Sequence, residues 1–137
     1  MAYDLVEAFW PGPLTLILPA RSSLAWDLGD TGGTVALRMP DHRIALELLS
    51  ETGPLAVSSA NRTGRPPATT AAHAEQELGD SVAVYLEAGA TPGSAPSTIV
   101  DVTRVAAGTG TLRIVREGVL TREQLGGAAP ELLEDPA

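Results

Sequence analysis

Neither cysteine nor lysine occurs among the 137 residues. Without cysteine there is no disulfide framework, no thiolate nucleophile and no thiolate metal ligand. Without lysine there is no Schiff-base amine and no phosphate-loop lysine. Histidine is scarce as well: His42 and His73 stand far apart without metal-ligand spacing. A metal site built from protein side chains alone is therefore not expected. No apolar run approaches membrane-spanning length, and Met1 does not open a signal-peptide pattern. These absences lead to the expectation of a cytoplasmic chain with no membrane contact. The formal charge of −8 argues against strong, non-specific nucleic-acid binding. Any anionic ligand must be held by arginine, backbone N–H groups and hydroxyls.

What remains is ordinary for a globular domain: 44% hydrophobic and 19% charged residues, in one domain's length of chain. The pattern predicts a helix over 4–9, stopped by Trp10-Pro11-Gly12-Pro13. Strands are expected at 14–18, 34–39, 55–58, 82–86, 97–102 and 111–115. Residues 22–33 read as a loop with one helical turn around Trp26. Asp41 is the expected N-cap of a helix to 50 or 51, with Gly53 just past its end. Ile44, Leu46, Leu48 and Leu49 would supply its buried side. Thr69 or Thr70 opens a helix to Leu78 that Gly79 stops. Thr121-Arg-Glu-Gln124 fits a capping box, with Leu120 and Leu125 spaced as a hydrophobic staple. Strands alternate with helices mid-chain and follow one another near the end. The fold class expected is α/β (α+β), a twisted mixed sheet with helices packed on it.

The stretch PLAVSSANRTGRPP, residues 54–67, is the richest in polar chemistry. An apolar run ends in Ser58, Ser59 and Asn61, with Arg62 and Arg65 behind. Hydroxyls and an amide can hydrogen-bond an anion, and arginines supply charge and forked donors. The same residues also suit a polar loop that caps the next turn. Arg38 closes a predicted strand, where it is either a ligand contact or an edge arginine paired in solvent. Ser97 opens another strand after the Gly/Pro-rich loop 89–96, and Arg116 ends a third. Convergence of Arg38, Ser58, Ser59, Asn61, Ser97 and Arg116 at one sheet edge would make an anion pocket.

Five segments together carry a family resemblance: FWPGPLTLIL (9–18), TVALRMPDH (34–42), AVSSANRTGRPP (56–67), PSTIVD (96–101) and LRIVREG (112–118). The chain resembles the YrdC/Sua5 family, the L-threonylcarbamoyladenylate synthases. The resemblance implies a YrdC-like domain over residues 1–126, incomplete at its N-terminus, and a flexible acidic tail over 127–137. A strand-turn with a Pro-Thr-Asp/Glu-Thr-Val-Tyr-Gly pattern and a basic stretch ending in histidine, both expected of the family, do not occur in this sequence.

The implied reaction joins L-threonine, bicarbonate and ATP, with Mg²⁺ accompanying the nucleotide. Threonine carbamate attacks the α-phosphorus, pyrophosphate leaves, and a separate transferase carries the product to tRNA. The resemblance assigns Thr34, Ser59, Asn61 and Arg116 to ATP. It assigns Arg38, Val57 through its backbone, and Ser97 to threonine; no residue is assigned to catalysis. Arg113 competes with Arg116 for the nucleotide, and the spacing of two residues before glycine favours Arg116. A truncated, non-catalytic nucleotide- or RNA-binding remnant is the alternative. The missing strand would leave exposed apolar surface, and a homodimer that covers it is expected.

Overall fold

A computed structural model of the chain describes residues 2–93 and 95–130. Its elements are helix α1 (Ala2–Phe9), strands β1 (Leu14–Pro19) and β2 (Thr34–Leu37), helices α2 (Arg43–Thr52) and α3 (Ala71–Leu78), a 3₁₀ turn (Gly79–Ser81), β3 (Thr98–Asp101), α4 (Thr103–Ala106), β4 (Arg113–Arg116) and α5 (Arg122–Ala128). The four strands form one sheet in the order β2-β1-β3-β4. The central pair β1–β3 is parallel, while β2 and β4 flank it antiparallel. The mixed sheet with packed helices is the expected class.

Period-two alternation explains the core. Leu14 and Leu16 of β1 and Thr98 and Val100 of β3 point to one face and are buried. There they join Leu5 of α1, Val105 of α4, Leu125 of α5 and the loop residues Leu112 and Leu120. Thr15, Ile17, Ile99 and Asp101 alternate onto the other face and are only half-buried. That second face is the one that carries polar chemistry.

Helix boundaries follow local hydrogen-bond chemistry. Thr70 caps α3 through its hydroxyl, and Gly79 (φ 51°) ends it. Thr121 and Gln124 make the full capping box of α5. His42, not Asp41, caps α2, because His42 holds the extended backbone next to the helix and its Nδ1 accepts from the Ala45 N–H at 3.3 Å. Of the α2 apolar residues, Leu46 and Leu49 are half-buried, while Ile44 and Leu48 are each 38% exposed. Helix α4 escapes sequence reading because it is a single turn with one buried residue, Val105. No helical turn forms at Trp26; the Asp27 carboxylate instead accepts from the Gly29 N–H in a local turn. Helix α5 continues through Gly126 and Gly127 to Ala128, and Ala129 packs into the core. Residues 131–137 of the expected tail lie outside the described residues.

Two expected strands do not form. Residues 55–58 and 82–86 carry no strand assignment. Their composition suits a pleated surface, but a strand exists only through a ladder partner, and none of the four strands reaches them. The cost is visible: Val57 is 86% and Val84 68% exposed. Strand β2 also ends early, at Leu37 rather than Met39, and the Met39 carbonyl instead accepts from the Gly12 N–H.

Candidate functional site

The topology decides which residues meet. Strands β1 and β3 begin at the sheet edge where the antiparallel β2 and β4 end. Arg38, one residue past β2, and Arg116, the last residue of β4, therefore lie at the same sheet edge as Ser97, one residue before β3.

Each side chain is held by specific contacts. Arg38 Nε donates to the Gly12 carbonyl at 3.0 Å, and the Gly12 N–H donates to the Met39 carbonyl at 2.8 Å. The Trp10-Pro11-Gly12-Pro13 turn, read from sequence as a helix stop only, thus fixes the arginine at the end of β2. Trp10 steadies that turn by donating Nε1–H to the Leu14 carbonyl. Arg116 reaches back across the edge, donating from Nη2 to the Ser97 carbonyl at 2.8 Å and to Ser97 Oγ at 3.2 Å. Ser97 Oγ in turn lies 2.8 Å from Thr15 Oγ1.

Burial depresses the Arg38 pKa first, and the neighbouring Arg116 charge depresses it further. Among the described residues neither arginine has a carboxylate partner. Two neighbouring guanidinium groups without a carboxylate partner offer forked donors that match carboxylate and phosphate geometry. An open cavity of about 710 Å³ adjoins Arg38, walled by Met39, Pro40, Leu46, Leu49 and Val57.

Arg113 goes elsewhere. Its Nη2 lies 3.2 Å from Asp101 Oδ2, at the opposite end of the sheet, and Asp101 Oδ1 accepts from the N–H and hydroxyl of Thr103. Burial alone would raise the Asp101 pKa, but the Thr103 and Arg113 hydrogen bonds outweigh it and hold the carboxyl below its usual 3.8. A carboxylate depressed in the folded state contributes stability above the unfolded value and loses it as pH falls through the folded one. Acidification from pH 5 to below 3 is expected to lower the melting temperature partly through this group. Asp101→Asn should flatten that acid limb and cost about 1–2 kcal/mol at neutral pH. Melting temperatures of both proteins across that range are the check; identical acid limbs would refute it.

The other candidates are more scattered. Thr34 begins β2, opposite Pro19, about 13 Å along the strand from Arg38. Its hydroxyl donates to the Thr31 carbonyl. Ser58 and Ser59 are exposed. Asn61 Nδ2 donates to the Arg62 carbonyl, while its Oδ1 is buried without a partner. An orphaned acceptor awaits a donor, which a phosphate oxygen is not. Arg62 and Arg65 do not reach the arginine pair. Arg62 Nε donates to the Glu77 carbonyl at 2.6 Å, and Arg65 pairs with the Glu77 carboxylate at 3.3 Å. They clasp the loop to the end of α3, a role the cluster's composition does not distinguish from anion binding. Sequence reading missed Thr15 and Gly12, whose partners lie 82 and 26 residues away.

Comparison with known proteins places this geometry in a family. The Sua5_yciO_yrdC family, described as telomere recombination, matches residues 1–118. The chain belongs to the Sua5/YciO/YrdC family. A putative threonylcarbamoyl-AMP synthase of Mycobacterium tuberculosis is 52% identical over 124 residues, covering 90% of this chain and 55% of the relative. The threonylcarbamoyl-AMP synthase of Bacillus subtilis is 39% identical over 127 residues, covering 90% and 35%. The chain thus spans about half, or less, of the length of these Sua5/YrdC relatives. The crystal structure of Pyrococcus abyssi Sua5 complexed with L-threonine superposes with a TM-score of 0.83 at 34% identity, covering 96% of this chain and 38% of that one.

Proposed function

We propose that this chain contributes the anion-binding part of a threonylcarbamoyl-AMP synthase, which makes L-threonylcarbamoyladenylate from L-threonine, bicarbonate and ATP. The observation that carries this reading is the unpaired Arg38–Arg116 couple at Ser97. It sits on a Sua5/YrdC chain whose structural relative was crystallised with L-threonine. Arg38, the Val57 backbone and Ser97 hold threonine, while Arg116, Ser59, Asn61 and Thr34 serve the nucleotide, with Asn61 shaping its loop. The threonine nitrogen adds to carbon dioxide from bicarbonate, and the resulting carbamate oxygen attacks the α-phosphorus of ATP as pyrophosphate leaves. Such a transfer depends on positioning and charge stabilisation rather than on a protein nucleophile, in keeping with a site of arginines and hydroxyls. In this reading Mg²⁺ would arrive with the nucleotide. The product passes to a separate transferase that acts on tRNA, in a cytoplasmic setting. No helix among the described residues is long and apolar enough to cross a membrane. In this reading the domain spans residues 1–126, and Ala129 packs against its core.

Pyrophosphate release from ATP that requires both threonine and bicarbonate is the test on the full-length protein. Release independent of threonine would sink the reading. For this chain, calorimetry with L-threonine reports the site directly. Arg38→Ala is expected to weaken threonine binding about 10- to 150-fold, the worth of a charged hydrogen bond of about 1.5–3 kcal/mol. Arg38→Lys should restore only part of it, because an ammonium lacks the fork.

The homodimer rests on the uncovered surface. Leu37, Leu55, Val57, Val84 and Leu86 are each more than 40% exposed, and β2 has an open edge. Strong fluorescence of an anilinonaphthalene dye and concentration-dependent sedimentation are expected. A dye-silent monomer at high concentration would contradict it.

A further inference from the structure

We infer that Thr15 is a positioning residue: its hydroxyl donates to Ser97 Oγ and thereby turns the Ser97 O–H onto the carboxylate of the bound ligand. The inference rests on the reading of Arg38 and Ser97 as the threonine site, with Arg116 of the nucleotide side bonded to the same serine.

The argument counts protons. A serine hydroxyl has one hydrogen to give and two lone pairs to receive. Arg116 Nη2 lies 3.2 Å from Ser97 Oγ and can only donate, so it takes one lone pair. Thr15 Oγ1 lies 2.8 Å from the same oxygen, and either atom can be the donor. If Ser97 donates to Thr15, its proton is spent and the serine offers an incoming anion only a lone pair. If Thr15 donates instead, both lone pairs are filled and the Ser97 proton is free for the anion. Among the described residues the Thr15 hydroxyl has no other hydrogen-bond partner to hold its hydrogen elsewhere. A carboxylate is a stronger acceptor than a neutral hydroxyl, so ligand binding selects the second arrangement. All three groups are then satisfied, and the two donors polarise the serine toward the ligand.

The fold builds this pair deliberately. Leu14 lies opposite Thr98 in the parallel ladder, and both point into the core. Thr15 and Ser97, their neighbours in sequence, therefore fall together on the other face. Valine at position 15 would keep the shape and strand preference while removing the hydroxyl.

The test uses this chain and three ligands: L-threonine, L-threoninamide and ATP. Thr15→Val is expected to weaken L-threonine binding about tenfold, with a melting temperature close to wild type. Thr15→Ser, which keeps the hydroxyl, should restore it. Preference for threonine over its neutral amide should narrow in Thr15→Val, a change that loosened packing would not produce. ATP affinity should hold, which assigns the carboxylate rather than a phosphate to Ser97. Unchanged threonine affinity in Thr15→Val, failure of Thr15→Ser to restore it, or a loss confined to ATP would each overturn the inference. A wild-type chain that binds no threonine would overturn the underlying site assignment and this inference with it.

Discussion

Gly118→Ala is expected to cost about 3 kcal/mol or more and to abolish the threonine binding proposed for this chain. A Cβ at Gly118 would overlap the Pro96 carbonyl oxygen and stand 2.6 Å from the Ser97 carbonyl carbon and 2.7 Å from its oxygen. All of these are backbone atoms, which cannot swing aside as the tip of a long side chain can. The turn after β4 packs directly on the strand entrance at 96–97, and only the absence of a side chain allows it. Overpacking of this kind typically costs 1–3 kcal/mol, and backbone collision belongs at or above the upper end. For a chain of this size that lowers the melting temperature by roughly 10 °C. The functional loss has a separate cause. Arg116 is anchored to the Ser97 carbonyl, and Val119 donates to the Pro96 carbonyl at 3.0 Å. Parting these two backbones separates Arg116 from Ser97. Thermal melting and calorimetry check both effects. A variant that melts and binds like wild type would show that the turn relaxes freely.

Thr98→Val should be comparably damaging, although it is nearly isosteric. Thr98 is fully buried, and its hydroxyl is used to capacity. Oγ1 donates to the Leu120 carbonyl at 2.7 Å and accepts from the N–H groups of Gly118 and Leu120, each at 3.0 Å. Valine would fill the same space and leave two donors and one acceptor without partners, each unsatisfied group costing about 1–3 kcal/mol. A total of about 3–5 kcal/mol is expected, allowing for partial relaxation. Thr98→Ser supplies the contrast. It keeps the hydroxyl, loses one methyl and should cost only about 1 kcal/mol. Denaturant unfolding of the two variants decides between polar and apolar loss; a serine variant less stable than the valine variant would reverse the assignment. Gly118→Ala and Thr98→Val disturb the same turn, so their costs should fall short of additive.

These two positions show how far the sequence could be read. PSTIVD presents Ser97 and Thr98 as two ordinary hydroxyls at a strand entrance. Period-two alternation sends them to opposite faces, but which face is core depends on what packs there. Structure makes Thr98 a core hydrogen-bond hub and sets Ser97 against Thr15 and Arg116 on the other face. In the same way SSANRTGR offers two arginines of equal chemistry to Arg38, yet Arg62 and Arg65 are spent on Glu77. Arg113 and Arg116 sit three residues apart on β4, and the bulge beside Ile99 and Val100 interrupts the register between them. One pairs with Asp101 and the other faces Arg38, a division that spacing before a glycine favoured without explaining.

By itself, the sequence determined the class of fold, the caps of α3 and α5, the family, and the restriction of anion binding to arginine and hydroxyl groups. Those are local or compositional properties, legible wherever a residue's own chemistry or its near neighbours decide. Only the tertiary structure decided that 55–58 and 82–86 lack strand partners, that Gly12 holds Arg38, and that Thr15 meets Ser97. Each depends on the antiparallel placement of β2 and β4 around the parallel pair β1–β3, which brings residues 12, 15, 38, 97 and 116 to one edge. Contacts over such separations are set by packing and ladder register, which no local pattern encodes.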